Sequence, residues 1–415
     1  MELKRVVVTG IGALTPIGNT FPEYWEALTN GVSGAAPITL FDPELFKTRF
    51  ACEVKNFNPE DHFERKEARK MDRCGQLGIV AAREAVKNSG LLESGVNKQR
   101  VGVIWGSGIG GIKTFEEEVT AFATGNGTPR FNPFFIPKMI ADITPGHISM
   151  EFGFMGPNYT TVSACASSTN ALIDSLMLIQ LGKADVIVAG GSEAAVTASS
   201  IGGFNSMHAL SVRNDDPKTA SRPFDKDRDG FVMGEGSASI ILEEYEHAKA
   251  RGAKIYAELI GGGMSADAYH LTAPHPEGLG AYNVMKNALQ DAGVGIDEVD
   301  HINMHGTSTP LGDIAESKAI EKLFGEHAYQ IQINSTKSMT GHLLGAAGAI
   351  ESVAVVGAIM HNSVPPTINH FTDDENLDPR LDFTFNKAKS REVNIAMSNT
   401  FGFGGHNACV VFKKI

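Results

Sequence analysis

Cys165 lies in the run TTVSACASSTNALIDSLMLI, where a β-branched stretch gives way to small residues and then to a helix-forming Ala/Leu pattern. A cysteine on such a strand-to-helix turn meets the unpaired N–H groups and positive end of a helix, which favour thiolate, the nucleophilic form of sulfur. The thiol is therefore expected to be acidified, and Ala164, Ala166, Ser167 and Ser168 leave space around it. Two histidines occupy similar settings. His305 opens HGTSTPLGD directly after the apolar run Ile302–Met304, and His342 opens a helix in KSMTGHLLGAAGA. A lone histidine is more often structural, but two at element ends beside an exposed-type cysteine turn point to catalysis. Metal ligation fits less well, because no HxxxH-type spacing clusters ligands. Cys52, Cys74 and Cys409 read as buried structural thiols.

The elements that must position these groups follow an α/β pattern. Short β-branched runs (Val6–Val8, Val101–Trp105, Asp185–Ala189, Ile331–Ile333) alternate with longer Ala/Leu-rich stretches. REAVKNSGLLESGVNKQRVGVIWGSG, from Arg83, resembles KNALQDAGVGIDEVDHINMHGTS, from Lys286; each reads as helix, Gly stop, connector, strand and small-residue turn. CASSTNALIDS from Cys165 and HLLGAAGAIES from His342 end alike at the same offset, so the two residues are candidates for equivalent positions in a duplicated unit. Any two helices share such features, and the matching order of elements is what favours duplication. The halves divide near Arg251–Lys254, giving 1–251 with the cysteine and 252–415 with the histidines.

Three motifs suggest other chemistry and fail in detail. TGIGALTPIG after the first strand lacks the third glycine of a dinucleotide loop, where Thr15 stands. GSGIGG at 106–111 is equally a tight turn approached by another segment. DKDRDGFVMGEG from Asp225 begins like a calcium loop but has Gly236 where the bidentate Glu belongs. A net charge of -12 argues against generic nucleic-acid binding. Four cysteines without CxxC spacing suggest a reducing compartment, and no apolar stretch is read as reaching the ~18 residues of a membrane helix. A cytoplasmic protein without membrane or nucleic-acid partners is expected.

Five ordered motifs, VSACASSTNA, SRPFDKDRDGFVMGEG, NMHGTSTPLGD, NSTKSMTGHLLGAAG and SNTFGFGGHNACVVF, resemble the chain-elongating β-ketoacyl-acyl carrier protein synthases, type II in particular. The resemblance spans nearly the whole chain. It implies a thiolase-like α/β fold, two pseudo-related halves layered αβαβα, working as a homodimer. It also implies decarboxylative condensation of an acyl group on Cys165 with a malonyl unit. His305 and His342 would donate hydrogen bonds to the malonyl thioester carbonyl, and the N–H groups of Cys165 and Phe403 would hold the second oxyanion. By the same match Lys337 pairs with Glu316, and Phe401 and Phe403 form a gate. Thr307 and Thr309 bind the pantetheine arm, with Thr272 and Phe204 as further substrate contacts, and Ile109 lies along the acyl channel. Asn303, Glu351, Ser398 and Asn399 match a structural monovalent-cation site of some relatives; no other cofactor is implied.

The implied partner is an acidic acyl carrier protein, loaded with acyl or malonyl groups. In ERKEARKMDR, Arg65, Lys66, Arg69, Lys70 and Arg73 recur at three- and four-residue spacing, so a helix would gather several on one face. Arg130 and Arg213 extend the surface, whereas His208 replaces a family arginine. An isolated charge run of this kind would otherwise read as a solvated helix face. The competing functions are a non-catalytic chain-length partner, which lacks the nucleophile, and a polyketide-type ketosynthase.

Overall fold

The computed structural model describes residues 3–415. Ten strands make the main sheet: β1 (Val6–Leu14), β2 (Val101–Gly106), β3 (Asn158–Thr161), β4 (Val186–Glu193), β5 (Gly236–Glu244), β6 (Ala257–Ala266), β7 (His301–Asn303), β8 (Gln332–Asn334), β9 (Ile395–Gly402) and β10 (His406–Lys413). Their order is β8-β7-β9-β10-β6-β1-β5-β4-β2-β3. Reading outward from the middle, one half runs β1-β5-β4-β2-β3 and the other β6-β10-β9-β7-β8, the same topology twice. The pairings repeat as well. Two antiparallel contacts (β1/β5 and β5/β4; β6/β10 and β10/β9) are followed by two parallel ones (β4/β2 and β2/β3; β9/β7 and β7/β8). Within the sheet the two halves pair through Val7↔Glu258 and Val8↔Ala257.

Six helices complete the repeat: α1 (Arg73–Ser89), α2 (Ile112–Thr124) and α3 (Ser167–Gln180) in the first half, α4 (Leu279–Ala292), α5 (Pro310–Phe324) and α6 (Ala347–His361) in the second. Each half runs strand-helix three times and ends on a hairpin-like strand pair. The helices α3 and α6 pack on each other and on strands of both halves, forming the central layer; α1 and α4 cover the outer faces. This is the thiolase-like α/β architecture.

The glycines of TGIGALTPIG belong to packing. A Cβ on Gly10 or Gly12 would lie 2.4 or 2.1 Å from the carbonyl oxygens of Ala85 and Ala81 on α1. In β6, Gly261 and Gly263 meet the α4 backbone at Ala292 and Val284 in the same way, at 2.6 and 2.3 Å. The first strand of each half therefore lacks side chains where its first helix crosses.

The apolar-stretch reading needs correction. Leu344–His361, an initial turn plus α6, has the length and hydropathy of a membrane span, with a mean of 1.5, but 89% of it is buried inside the protein. It is the core helix of the central layer. A helix packed against strands of both halves and against α3 has no side left for a polar face, which is why its sequence is apolar nearly all round.

Candidate active site

Cys165 follows β3 and His342 follows β8, the corresponding strand of the other half. Each therefore precedes a central helix, α3 or α6, and the repeat brings the two helix starts together. The turn carrying Cys165 is locked by its own neighbours. Ser167 Oγ accepts from Ser163 N at 2.9 Å and donates to Ala164 O at 2.6 Å, while Asn170 Nδ2 donates to Ser163 Oγ at 2.6 Å. These bonds hold Ala164 at φ 51°, a left-handed conformation that costs a non-glycine residue about 1 kcal/mol or more. Cys165 is 8% exposed and lies in a cavity of about 830 Å³.

The sulfur of Cys165 and the ring nitrogens of His305 and His342 all lie within 4.8 Å of one another. His342 Nε2 is 3.0 Å from Sγ, and the two imidazoles meet edge to face at 5.2 Å between centroids. His342 is fixed by Phe231, edge-on at 5.3 Å, and by its N–H donating to Val232 O at 2.7 Å. Burial, then the Lys337 ammonium, hold both imidazoles well below the ordinary range, and His305 is lowered further by His342. They are neutral at pH 7. The same ammonium opposes a dication among these three ligands, although one thiol and two imidazoles are suitable donor types for a soft metal.

The expected acidification of Cys165 is reversed. Burial, joined by the Glu193 charge, raises the thiol from its ordinary 9.0 to about 12, and the Lys337 ammonium and the N–H groups of Phe403 and Cys165 counter only part of the rise. Such a rise corresponds to about 4 kcal/mol, more than the ~2 kcal/mol a helix terminus supplies at best. The reason lies in placement. Cys165 lies before the first residue of α3, buried in the wall of the cavity. The two N–H groups do face the sulfur, where an oxyanion on an acyl group attached there would lie.

Lys337 is 1% exposed, and its ammonium bonds Glu351 of α6, not Glu316 as expected. Glu316 is already committed. Its carboxylate accepts from His305 N at 2.9 Å, Gly306 N at 3.0 Å and Asn399 Nδ2 at 3.1 Å, so it anchors the turn carrying His305. Burial raises Glu316 and Glu351 each to about 7. Asn303 and Ser398 stand opposite each other on β7 and β9. Asn303 Oδ1, Ser398 Oγ, Asn399 Oδ1 and Glu351 Oε2 are all buried without a hydrogen-bond partner among the described residues, and they are hard oxygen donors of the type a small cation takes.

Ile109, Phe204, Thr272, Thr307, Thr309, Phe401 and Phe403 all line the cavity with the catalytic groups. Phe401 packs 5.5 Å from His305 and Phe403 lies 6.2 Å from Phe204. Thr307 and Thr309 share a 3.0 Å hydroxyl contact. The basic segment departs from the expected single helix. A four-residue turn (Arg65–Ala68) ends before α1, and Arg73 turns inward onto buried Glu235 at 2.6 Å, leaving the surface set. Arg65 and Lys70 pair with Glu60 and Glu67, weak contacts at exposed sites, whereas Lys66 and Arg69 form no ion pair among the described residues. Arg130 and His208 are exposed, and Arg213 is half-buried, donating to Asp227 O at 3.0 Å. Sequence reasoning missed Phe231 and Glu193. An acid closing the apolar run VIVAGGSE was the available signal, since a charge at the end of a buried strand needs partners.

A buried thiol nucleophile flanked by two neutral imidazoles, on a twice-repeated layered scaffold, defines a thiolase-fold condensing enzyme. The sequence matches the family models "Beta-ketoacyl synthase, N-terminal domain" over residues 3–248 and "Beta-ketoacyl synthase, C-terminal domain" over residues 256–371. The chain belongs to the β-ketoacyl synthase family. It is 50% identical to the 3-oxoacyl-[acyl-carrier-protein] synthase 2 of Synechocystis sp., covering 100% of this chain and 99% of that one. It is 48% identical to the protein so named in Coxiella burnetii, over the full length of both. Among solved structures, a β-ketoacyl synthase from Burkholderia phymatum superposes with a TM-score of 0.92 at 34% identity, covering 99% of this chain and 100% of that one. A type II polyketide ketosynthase in complex with its acyl carrier protein gives 0.89 at 34% identity, over 100% of both chains.

A thiol raised to about 12 gains thiolate tenfold per pH unit well below that value. Iodoacetamide alkylation of Cys165 is expected to rise continuously from pH 6 to pH 9, followed by mass spectrometry. A plateau below pH 8 would mean that the amides and helix outweigh burial.

Proposed function

We propose that this protein is a 3-oxoacyl-[acyl-carrier-protein] synthase, lengthening carrier-bound acyl chains by two carbons in fatty-acid synthesis. The observation that carries the reading is the gathering of Cys165, His305 and His342 within 4.8 Å, with both rings held neutral. The full-length relatives bearing that name support it.

In the first half-reaction Sγ attacks the acyl thioester carbonyl. Its proton is released and the departing pantetheine sulfur takes one up, while the Nε2–H of His342, 3.0 Å from Sγ, hydrogen-bonds the developing thiolate. In the second, the bond between the malonyl α-carbon and its carboxylate breaks, CO2 leaves, and the electron pair forms an enolate. Two neutral Nε2–H donors stabilise that oxygen without protonating the carbon that must attack; an imidazolium is acidic enough to quench it. The carbon then attacks the acyl-Cys165 carbonyl, the oxyanion is held by the N–H groups of Cys165 and Phe403, and sulfur leaves and takes up a proton. Overall, acyl-carrier, malonyl-carrier and one proton give 3-oxoacyl-carrier, CO2 and free carrier.

Phe401 and Phe403 gate the cavity between the steps, Thr307, Thr309 and Thr272 hold the pantetheine arm, and Ile109 and Phe204 line the acyl path. A monovalent cation held by Asn303, Glu351, Ser398 and Asn399 would be structural, offsetting buried oxygen charge. A homodimer is supported by the apolar surface from α2 to residue 140, where Phe115, Val119, Phe122, Phe131, Phe134, Ile136 and Ile140 are all exposed, and by the open sheet edge at β3. The carrier docks on Lys66, Arg69 and Lys70 with Arg65, Arg130 and Arg213, and the enzyme works in the cytoplasm.

Cys165→Ala is expected to abolish condensation. His305→Ala and His342→Ala each slow malonyl-carrier decarboxylation about 100-fold or more, measured as CO2 release. Wild-type decarboxylation in either histidine variant would remove that residue from the enolate site.

A Lys66→Glu, Arg69→Glu, Lys70→Glu variant is expected to raise KM for acyl-carrier about tenfold at low salt, with the defect fading as salt screens the charges. Turnover of a small acyl-pantetheine thioester stays near normal. Equal losses on both substrates would place the damage in the fold or the site and remove the docking assignment.

A further inference from the structure

Glu193 ends β4 with no exposed surface, and no role in the reaction just described falls to it. Its carboxylate is nonetheless the meeting point of two turns from opposite halves of the molecule. Oε2 accepts from Gly108 N at 2.7 Å and from Gly345 N at 2.9 Å, while Oε1 accepts from Ile109 N at 3.2 Å and from Ser107 Oγ at 3.4 Å. Ser107 Oγ in turn accepts from Gly110 N at 3.1 Å. The first turn presents Ile109 to the cavity; the second follows His342 into α6. A Cβ on Gly345 would lie 2.1 Å from Gly108 N and 2.7 Å from Glu193 Oε2, so only glycine lets the turns close over the carboxylate. No cationic side chain bonds Glu193 among the described residues, and a buried carboxylate without a counter-ion needs its N–H donors.

We propose that Glu193 is a positioning residue for the acylation half-reaction: its carboxylate pins the backbone of the Ser107–Gly110 turn to the turn after His342, fixing where Ile109 stands in the acyl path. The assignment rests on the acyl path being lined by Ile109. The hydrogen bonds of the clamp act on the acyl side, and the effect of the Glu193 charge on the Cys165 thiol is common to long and two-carbon acyl groups, so it cancels in their ratio. His342 is held separately, by Val232 O and the Phe231 ring, and His305 by Glu316. With the turn pinned, a long acyl chain meets a single movable side chain, Ile109, 39% exposed at the cavity wall, on an otherwise rigid backbone. Protonation would convert one carboxylate oxygen from acceptor to donor and release one of the N–H groups. Burial, opposed by those N–H bonds, places Glu193 at about 7, and the titratable groups facing it, Cys74 of α1 and Cys165, are both neutral thiols at that pH.

The test measures kcat/KM for transfer of long and two-carbon acyl groups onto Cys165, together with malonyl-carrier decarboxylation, in wild type, E193Q and I109F. In E193Q the amide turns an N–H toward the donors, so long-chain transfer is expected to fall about tenfold. Two-carbon transfer and decarboxylation should change less than threefold. In wild type the long-to-short ratio is expected to fall as pH drops from 8 to 6, a readout that needs no variant and stands if E193Q does not fold. A folded E193Q that loses all three activities in proportion, or a long-to-short ratio indifferent to pH, would overturn the proposal. If E193Q behaves as wild type while I109F shortens the accepted chain, the clamp is wrong and the acyl path stands. If I109F also leaves the profile unchanged, the acyl path itself fails and the clamp with it.

Discussion

A lysine ammonium buried against Glu351 at the heart of the protein is the charge on which the site depends. Lys337 cannot be there without a partner, because an unpaired ammonium in the interior costs several kcal/mol. Glu351 meets that need from within α6, the most apolar helix of the structure. The pair places one positive charge where it acts on Cys165, His305 and His342 together. Its effect on the imidazoles adds to burial, and its effect on the thiol opposes burial. The result is two neutral hydrogen-bond donors beside a sulfur whose charge is partly compensated. A strong acid in either histidine position would protonate the carbanion the reaction needs.

Duplication explains how these groups come together. Cys165 and His342 each stand between a third strand and a central helix, and His305 follows the second strand of its half, where the Ser107–Ile109 turn follows the second strand of the other. The carboxylates Glu316 and Glu193 reinforce this arrangement, each binding consecutive backbone N–H groups of one such turn. Acids that read as charges in the sequence serve as fixed acceptors for backbone in the structure.

Much of this was legible beforehand. The helix-stop-connector-strand likeness between the segments from Arg83 and Lys286 corresponds to α1–β2 and α4–β7, because hydrophobic period and Gly stops survive divergence where residue identity does not. The cysteine and both histidines were visible from their element ends. The acidified thiol was not, since a sequence shows the helix start but not how deeply the sulfur is buried. The Lys337 partner was missed because two buried glutamates compete for it, and only the fold reveals that Glu316 is already occupied by backbone donors. Arg73 was counted as surface because Glu235, 162 residues away, cannot be paired with it by local spacing. The length of α6 escaped notice because Glu351 interrupts its apolar run.

Neutral imidazoles are the central claim, and nitrogen NMR of 15N-histidine-labelled protein measures them directly. With His305→Gln and His342→Gln variants assigning the signals, both rings are expected to remain neutral and protonated at Nε2 from pH 5 to pH 8. A ring that titrates near 6.5, or that carries its proton on Nδ1, would contradict the account.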